Sequence, residues 1–241
     1  MRYLANTAHK QFVGLLMGCV AWIITMAATG LNEWRLWYIQ ETTMVSSGVA
    51  WVGIWRACFY SHTLAGFEFC RQMDITAGFL PPEIVAAQVL MVVAMACGLA
   101  GNMAAVYAVR MVYFSLMRRD HLRLAFAVAG SLYVLTGVCS SVPLVWNMTS
   151  VMANQSIDFP PEFHLPPAPT QQRVGSAVAV GLTGSLMIML CGLVFLCYRA
   201  PPGRDEPIQR TVDHSFQGSG GLTRDGGKDN PTFDPQEGQQ P

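Results

Sequence analysis

Charged side chains are scarce in this chain of 241 residues. Asp, Glu, Lys and Arg make up 12% of it, about half the ~25% of an ordinary soluble domain, so the chain has too little charge to cover a water-soluble globule. The 15 basic and 15 acidic residues cancel, which argues against the basic surface that nucleic-acid binding requires. Four long runs contain no Asp, Glu, Lys, Arg or His at all: 12–31, 84–109, 124–146 and 174–198.

These uncharged runs have the length that a bilayer requires. A helix needs ~20 apolar residues to cross the hydrocarbon core, and each run reaches that length, so we predict four transmembrane helices. Ionisable groups inside spans typically mark ion paths or substrate sites, and their absence argues against a pump or a secondary transporter. Catalytic motifs such as H-E-x-x-H and G-x-S-x-G are also absent, so we expect no enzyme, no cofactor and no metal.

Basic residues divide unequally between the connections. They are dense before the first run, between the second and third runs and directly after the fourth, and sparse in the two longer connections. The positive-inside rule then places both termini in the cytosol. Five segments outside the membrane are predicted, separated by the four spans. In order they are a cytosolic N-terminus (1–11), an outer loop (32–83), a cytosolic loop (110–123), a second outer loop (147–173) and a disordered cytosolic tail (199–241).

The first outer loop is typical of a small antiparallel sheet. Four short segments are rich in aromatic and β-favouring residues or alternate with a period of two: 34–39, 49–55, 57–60 and 67–70. A sheet of this size has a small core and is expected to carry a crosslink. Cys58 and Cys70 are the two cysteines on the predicted outer side. In an oxidising compartment such a pair has one intramolecular pairing, so we predict a disulfide between them.

The second outer loop contains five prolines, which favours an extended, stiff chain over a helix. Two N-x-S/T triplets in this loop, beginning at Asn147 and Asn154, are candidate glycosylation sites. Asn154 is the better candidate because Asn147 lies very close to the membrane. At the cytosolic end of the fourth span, Cys197 is a candidate for reversible acylation.

The first outer loop also carries an ordered pattern of tryptophan, glycine and cysteine, formed by Trp34, Gly53, Ile54, Trp55, Cys58 and Cys70. This pattern resembles the claudin signature W…GLW…C…C, with Ile54 in place of the usual Leu. Residues 80–88 look like the claudin start of the second helix, with Gln88 where many members have Arg. The resemblance covers residues 1–198. It implies an all-α membrane protein, a left-handed four-helix bundle under a small extracellular antiparallel β-sheet.

The function that this resemblance implies is a plasma-membrane protein at tight junctions. Claudins associate with themselves and with other claudins, side by side and across cells, to form a paracellular barrier or a charge-selective pore. A related four-span adhesion protein or a channel auxiliary subunit is the alternative, and co-purification with a channel would favour the latter. The chain ends at Pro241, which lacks the backbone N–H and the free φ of a bound terminal strand. Binding to PDZ scaffolds through this end is therefore not expected.

The same resemblance assigns roles to particular side chains in the outer loops. Arg71 directly follows the second cysteine, a position that often helps set the ionic preference of claudins, although Glu68 or Asp74 could neutralise its charge. Phe159 resembles the aromatic residue that claudins present to a facing cell, and packing on its own subunit is the alternative. Trp34 and Trp55 are expected to anchor the sheet to the bundle.

Overall fold

The computed structural model describes residues 2–39, 45–61, 67–114, 119–165 and 169–198. Within these segments four α-helices follow one another along the chain: α1 (Arg2–Gly30), α2 (Pro82–Phe114), α3 (Arg119–Met152) and α4 (Ser176–Leu196). Each helix contains a stretch that is long and apolar enough to cross a membrane. The predicted disordered tail and Pro241 lie outside the described residues.

The four helices form a bundle in which α1 contacts α2 and α4, and α3 packs between α2 and α4. The α3–α4 contact is close because glycines face each other: a Cβ on Gly130 would lie 2.7 Å from the backbone oxygen of Gly192. Several polar groups inside the bundle are hydrogen-bonded between helices. The Tyr133 hydroxyl, for example, donates to Asn102 Oδ1 at 2.6 Å. Small residues and interhelical hydrogen bonds are the usual means by which helices associate in lipid.

A five-stranded antiparallel sheet lies at one end of the bundle. Its strands are β1 (Arg35–Tyr38), β2 (Val45–Val52), β3 (Arg56–Ser61), β4 (Glu68–Gln72) and β5 (Gln171–Val174). Their order across the sheet is β4-β3-β2-β1-β5. The first connection between helices supplies four strands, as the alternating segments predict, and the second connection supplies the fifth.

The second connection differs from the extended loop that its prolines predict. The helix α3 continues to Met152, a 3-10 turn covers Pro161–Phe163, and β5 pairs with β1. The prediction is therefore wrong where α3 continues to Met152 and at the 3-10 turn, whereas β5 is extended. The prolines 160, 161, 166, 167 and 169 lie between α3 and β5, so they place no restriction on the residues that continue α3 or on those that form β5.

The two faces of the sheet differ in what covers them. On the face that we call the covered face, Trp37, Val52 and Phe59 form a buried cluster with the start of α2 and with residues 157–165 of the second connection. The opposite face, which we call the open face, carries Trp51 and Tyr60 as well as other residues of the alternate positions. Successive side chains of a strand point to opposite faces, so this division fixes the side on which each loop residue lies.

Candidate functional site

Two residues of the tryptophan–glycine–cysteine pattern join the sheet to the bundle. The Trp34 side chain is buried, and its Nε1–H donates to the backbone oxygen of Ala28 at 2.9 Å. Trp34 and Ile54 pack in one apolar cluster with residues of the other three helices: Ala87, Met91, Leu144, Ala177 and Val178. A buried indole that also satisfies its N–H contributes both apolar area and a directional contact. The end of α1 and the β2–β3 turn are thereby held on the bundle.

Gly53 begins the β2–β3 turn beneath the sheet, and Gln88 of α2 holds this turn by a hydrogen bond. The Gly53 N–H donates to the Arg56 oxygen at 2.9 Å, and a Cβ on Gly53 would lie 3.0 Å from Asn32 Cα. A side chain at this position would force the chain after α1 to shift by a few tenths of an ångström. From α2, Gln88 Nε2 donates to the oxygens of Ile54 and Met73 at 2.7 and 2.9 Å. The amide thus holds both ends of the β3–β4 hairpin.

The two tryptophans of the pattern differ in burial. Trp34 is 1% exposed, whereas Trp55 is 38% exposed. Trp55 is the last residue of the β2–β3 turn, and its backbone oxygen accepts from the Met73 N–H at 2.8 Å. The structure therefore places Trp34 inside the junction of sheet and bundle, and Trp55 at its rim.

A disulfide joins Cys58 of β3 to Cys70 of β4. The two residues are directly opposite each other in the strand register, on the open face of the sheet. Since β4 is at the end of the sheet and its side chains are mostly exposed, few apolar contacts hold it. The crosslink restricts the unfolded chain and keeps this edge strand in register.

A buried polar network beneath β1 connects the sheet with α2 and α3. Arg35 is fully buried. Its Nε donates to Asn147 Oδ1 at 2.6 Å, and its Nη2 donates to Glu83 Oε1 at 2.7 Å and to Ser150 Oγ at 3.1 Å. The Ser150 hydroxyl donates to the same Glu83 oxygen at 2.6 Å. Burial lowers the pKa of the Arg35 guanidinium, and the Glu83 carboxylate partly offsets this. The Glu83 carboxylate thus favours the charged form of the buried Arg35 guanidinium.

Sequence analysis did not single out this network. Arg35 and Glu83 are 48 positions apart, and no local motif links them. The one available signal is the strand period, because Arg35 and Trp37 occupy alternate positions and must lie on the same face. A charge next to a buried tryptophan on the covered face indicates that a partner is required.

Arg71 lies exposed on β4, the edge strand. Its guanidinium carbon is 5.5 Å from the centroid of the Phe69 ring, within the range of a cation–π contact. Glu68 is three positions away and therefore points to the opposite face. Among the described residues the single ion pair is Arg35–Glu83, so neither Glu68 nor Asp74 forms a direct pair with Arg71.

A sequence model of the PMP-22/EMP/MP20/Claudin tight junction family matches residues 19–197, which is most of the chain. The chain belongs to this family. Among its relatives, Claudin-2 of Canis lupus familiaris is 27% identical over 193 residues, covering 79% of this chain and 78% of the relative. Claudin-4 of Bos taurus is 24% identical over 199 residues, covering 82% and 89%. Claudin-2 of Homo sapiens is 26% identical over 198 residues, covering 81% and 80%.

Family membership and the four apolar helices make this chain a claudin-like tight-junction protein that crosses the plasma membrane several times. The claudins that it matches are structural junction proteins and not enzymes. The resemblance inferred from the pattern of the first loop is thereby confirmed.

Phe159 does not occupy the exposed place that a facing-cell contact of a claudin requires. Its side chain is 6% exposed. The ring lies 5.4 Å from Trp37, 6.1 Å from Phe79 and 5.4 Å from Phe163, measured between centroids. This placement favours the alternative that Phe159 packs on its own subunit. An aromatic ring above an apolar sheet face gains more by covering that face than by facing water.

The two candidate glycosylation sites also separate. Asn147 is buried in α3, where its Oδ1 accepts from Arg35 and its Nδ2 donates to the Trp34 oxygen. This corrects the expectation at Asn147, because a glycan needs that nitrogen at the surface. Asn154 follows α3 and is exposed. At the other end of the bundle Cys197 is exposed, directly after α4.

Proposed function

We propose that this claudin-like protein carries its sheet outside the cell, with both termini in the cytosol. Two observations support this orientation. The disulfide lies in the sheet, and disulfides persist in the oxidising extracellular compartment. At the opposite end of the bundle, exposed basic residues stand near the ends of three helices: Lys10, Arg110 and Arg123. Positive charge favours the cytosolic side.

The protein assembles with itself and with other claudins, side by side in one membrane and head to head across two. Within the described strands β4 and β5 each pair on one side only. The other side of an edge strand presents backbone N–H and C=O groups that a neighbour can pair with. The exposed side chains of β4 leave this edge accessible. The resulting rows of assembled molecules seal the space between cells or form a charge-selective pore in it.

Arg71 gives this passage its charge preference. The observation that carries the proposal is an exposed guanidinium on the edge strand, with a ring beneath it and without an ion pair to the carboxylates nearby. Arginine is charged at any physiological pH. A narrow aqueous path between low-dielectric walls strengthens the field of such a charge, although salt screens it beyond ~8 Å. Arg71 therefore repels cations, which tightens the barrier or favours anions.

Dilution potentials across epithelial monolayers test this proposal. Arg71→Glu should raise the sodium-to-chloride permeability ratio at least about twofold, because the sign of the local charge reverses. Arg173→Glu is the matched control. Arg173 is exposed on the other edge strand, with its guanidinium carbon 5.5 Å from the Tyr38 ring, but it lies on the open face. An unchanged ratio for Arg71→Glu at equal junctional abundance would reject the role of Arg71.

Stable co-purification with a channel, in place of junctional enrichment, would contradict the assembly itself and favour an auxiliary subunit. The cysteine at the cytosolic end has a separate test. If Cys197 is acylated, hydroxylamine treatment should remove a lipid from the wild-type protein and have no corresponding effect on Cys197→Ser.

A further inference from the structure

A groove of about 250 Å³ lies on the open face of the sheet. Its described lining consists of Leu31, Asn32, Glu33, Trp51, Tyr60 and Glu68. The first three of these residues directly follow the apolar span of α1, which ends at Gly30. The groove therefore stands at the level of the lipid headgroups. Its volume is just below the ~300–1,000 Å³ of sites for drug-sized molecules, which suits a single headgroup.

Two aromatic rings form a corner in this groove. The centroids of Trp51 and Tyr60 are 5.5 Å apart, and the planes of the rings meet at 88°. Tyr60 is 41% exposed, so the corner is accessible from outside. Aromatic faces attract cations within ~6 Å, and aromatic cages are the usual receptors for quaternary ammonium groups.

Two carboxylates add negative charge to the aromatic corner. Glu68 is directly opposite Tyr60 in the strand register. Glu33 is held from the other side, because its Oε2 accepts a hydrogen bond from Ser176 Oγ. None of the six described lining residues is basic. A group that enters the corner therefore meets two aromatic rings and two negative charges.

A positive charge lies outside the groove, on the same strand as Tyr60. Arg56 lies four positions before Tyr60 on β3, about 13 Å away at ~3.3 Å per strand residue. Its Nε donates to Asn32 Oδ1 at 2.9 Å, which holds the guanidinium next to a lining residue of the groove. The described lining of the groove is thus negative and aromatic, and a guanidinium outside it is bound to one of the lining residues, Asn32. A zwitterion with a cationic and an anionic end complements this arrangement better than a simple cation does.

We propose that this groove binds the phosphocholine headgroup of a membrane lipid. The trimethylammonium group occupies the corner between Trp51 and Tyr60, facing Glu33 and Glu68, and the phosphate lies on the side of Asn32, to which the Arg56 guanidinium is bound. A trimethylammonium group donates no hydrogen bonds. Ring faces and nearby carboxylates can therefore hold it without a hydrogen bond to any of them. A lysine ammonium is a compact and strongly hydrated charge. Moving it into this corner would remove part of its hydration shell, which costs free energy. The leaflet to which the lipid belongs follows from the proposed orientation, and the headgroup chemistry does not depend on it.

Binding can be measured on the full-length protein in a choline-free maltoside detergent. The probe is monomeric dihexanoylphosphatidylcholine, followed by saturation transfer from the protein to its N-methyl protons. We expect saturable binding that tetramethylammonium displaces, and at least about fivefold weaker binding of dihexanoylphosphatidylethanolamine, which lacks the three methyl groups. Glu68→Gln and Tyr60→Leu should each weaken phosphatidylcholine binding by a similar factor.

Glu162→Gln is the matched control, since Glu162 is an exposed carboxylate outside the groove. It should leave the binding unchanged. An intact Cys58–Cys70 disulfide and an unchanged thermal midpoint in each variant keep the comparison free of folding effects. Equal binding of the two lipids, unchanged binding in Glu68→Gln, or displacement by arginine methyl ester more effectively than by tetramethylammonium would overturn the proposal. The measurement needs no cell contacts, so its failure is distinguishable from a failure of junction assembly.

Discussion

Replacing Arg35 with Met should reduce the free energy of unfolding by ~3–5 kcal/mol, the cost of leaving one partner of a buried ion pair without the other. Arg35 is fully buried, and Glu83 is 2% exposed. The substitution keeps much of the side-chain volume but removes three hydrogen bonds, to Asn147, Glu83 and Ser150. The carboxylate would then keep the Ser150 hydroxyl as its described side-chain donor.

The double variant separates this penalty from the net value of the pair. Arg35→Met combined with Glu83→Leu removes both charges, and replacing a buried pair by apolar groups is often neutral or stabilising. We therefore expect the double variant to be more stable than Arg35→Met alone. The coupling energy from the double-mutant cycle should be about 2 kcal/mol or more, beyond the ~0.5 kcal/mol at which separate sites add.

Denaturant titration of the detergent-solubilised protein measures these differences. Arg173→Met is the control, because it removes an exposed arginine from the other side of the same strand pair and should change stability by less than ~1 kcal/mol. Arg35→Lys should be intermediate, since an ammonium lacks the planar fork that reaches Asn147 and Glu83 together. A loss below ~1 kcal/mol for Arg35→Met, or additive single effects, would refute the buried network as the link between sheet and bundle.

Three further predictions test local features. Cys58→Ser should cost ~3 kcal/mol and reduce surface biotinylation, whereas free thiols at both loop cysteines of the wild-type protein would contradict the crosslink. Gly175→Ala should lower the thermal midpoint sharply, because its Cβ would lie 1.9 Å from a backbone oxygen of the segment before β1; Gly78→Ala, with nothing within 4 Å, should be nearly neutral. Asn154→Gln should abolish an N-linked glycan on gels, and a glycan lost instead in Asn147→Gln would contradict the burial of that side chain.

Most of the architecture could be predicted from two local properties of the sequence. Apolar length alone determines the four spans, because a charge inside the bilayer is costly. The four strands of the first connection follow from alternation and aromatic content, although their ends shift. The sequence pattern predicts a strand over 49–55, but β2 ends at Val52. Gly53 and the two residues after it form the turn, which the close passage of Asn32 requires.

The remaining features depend on contacts between distant parts of the chain. The segment Gln171–Val174 has no strand pattern of its own and becomes β5 because it lies beside Arg35–Tyr38. The burial of Phe159 and Asn147 follows from where α3 and the second connection cross the sheet, which no short pattern encodes. The corner of Trp51 and Tyr60 likewise depends on the register of β2 and β3. Tertiary placement rather than local propensity decides such positions.

Freeze-fracture electron microscopy of cells without tight junctions, expressing this chain and labelled with immunogold, tests the central claim most directly. The account predicts continuous intramembrane strands that carry the label where two expressing cells touch. Arg71→Glu should leave these strands intact, since that residue acts on ions and not on assembly. Label that stays dispersed over the plasma membrane, without strands at contacts even when another claudin is co-expressed, would contradict the claim that this protein builds tight junctions.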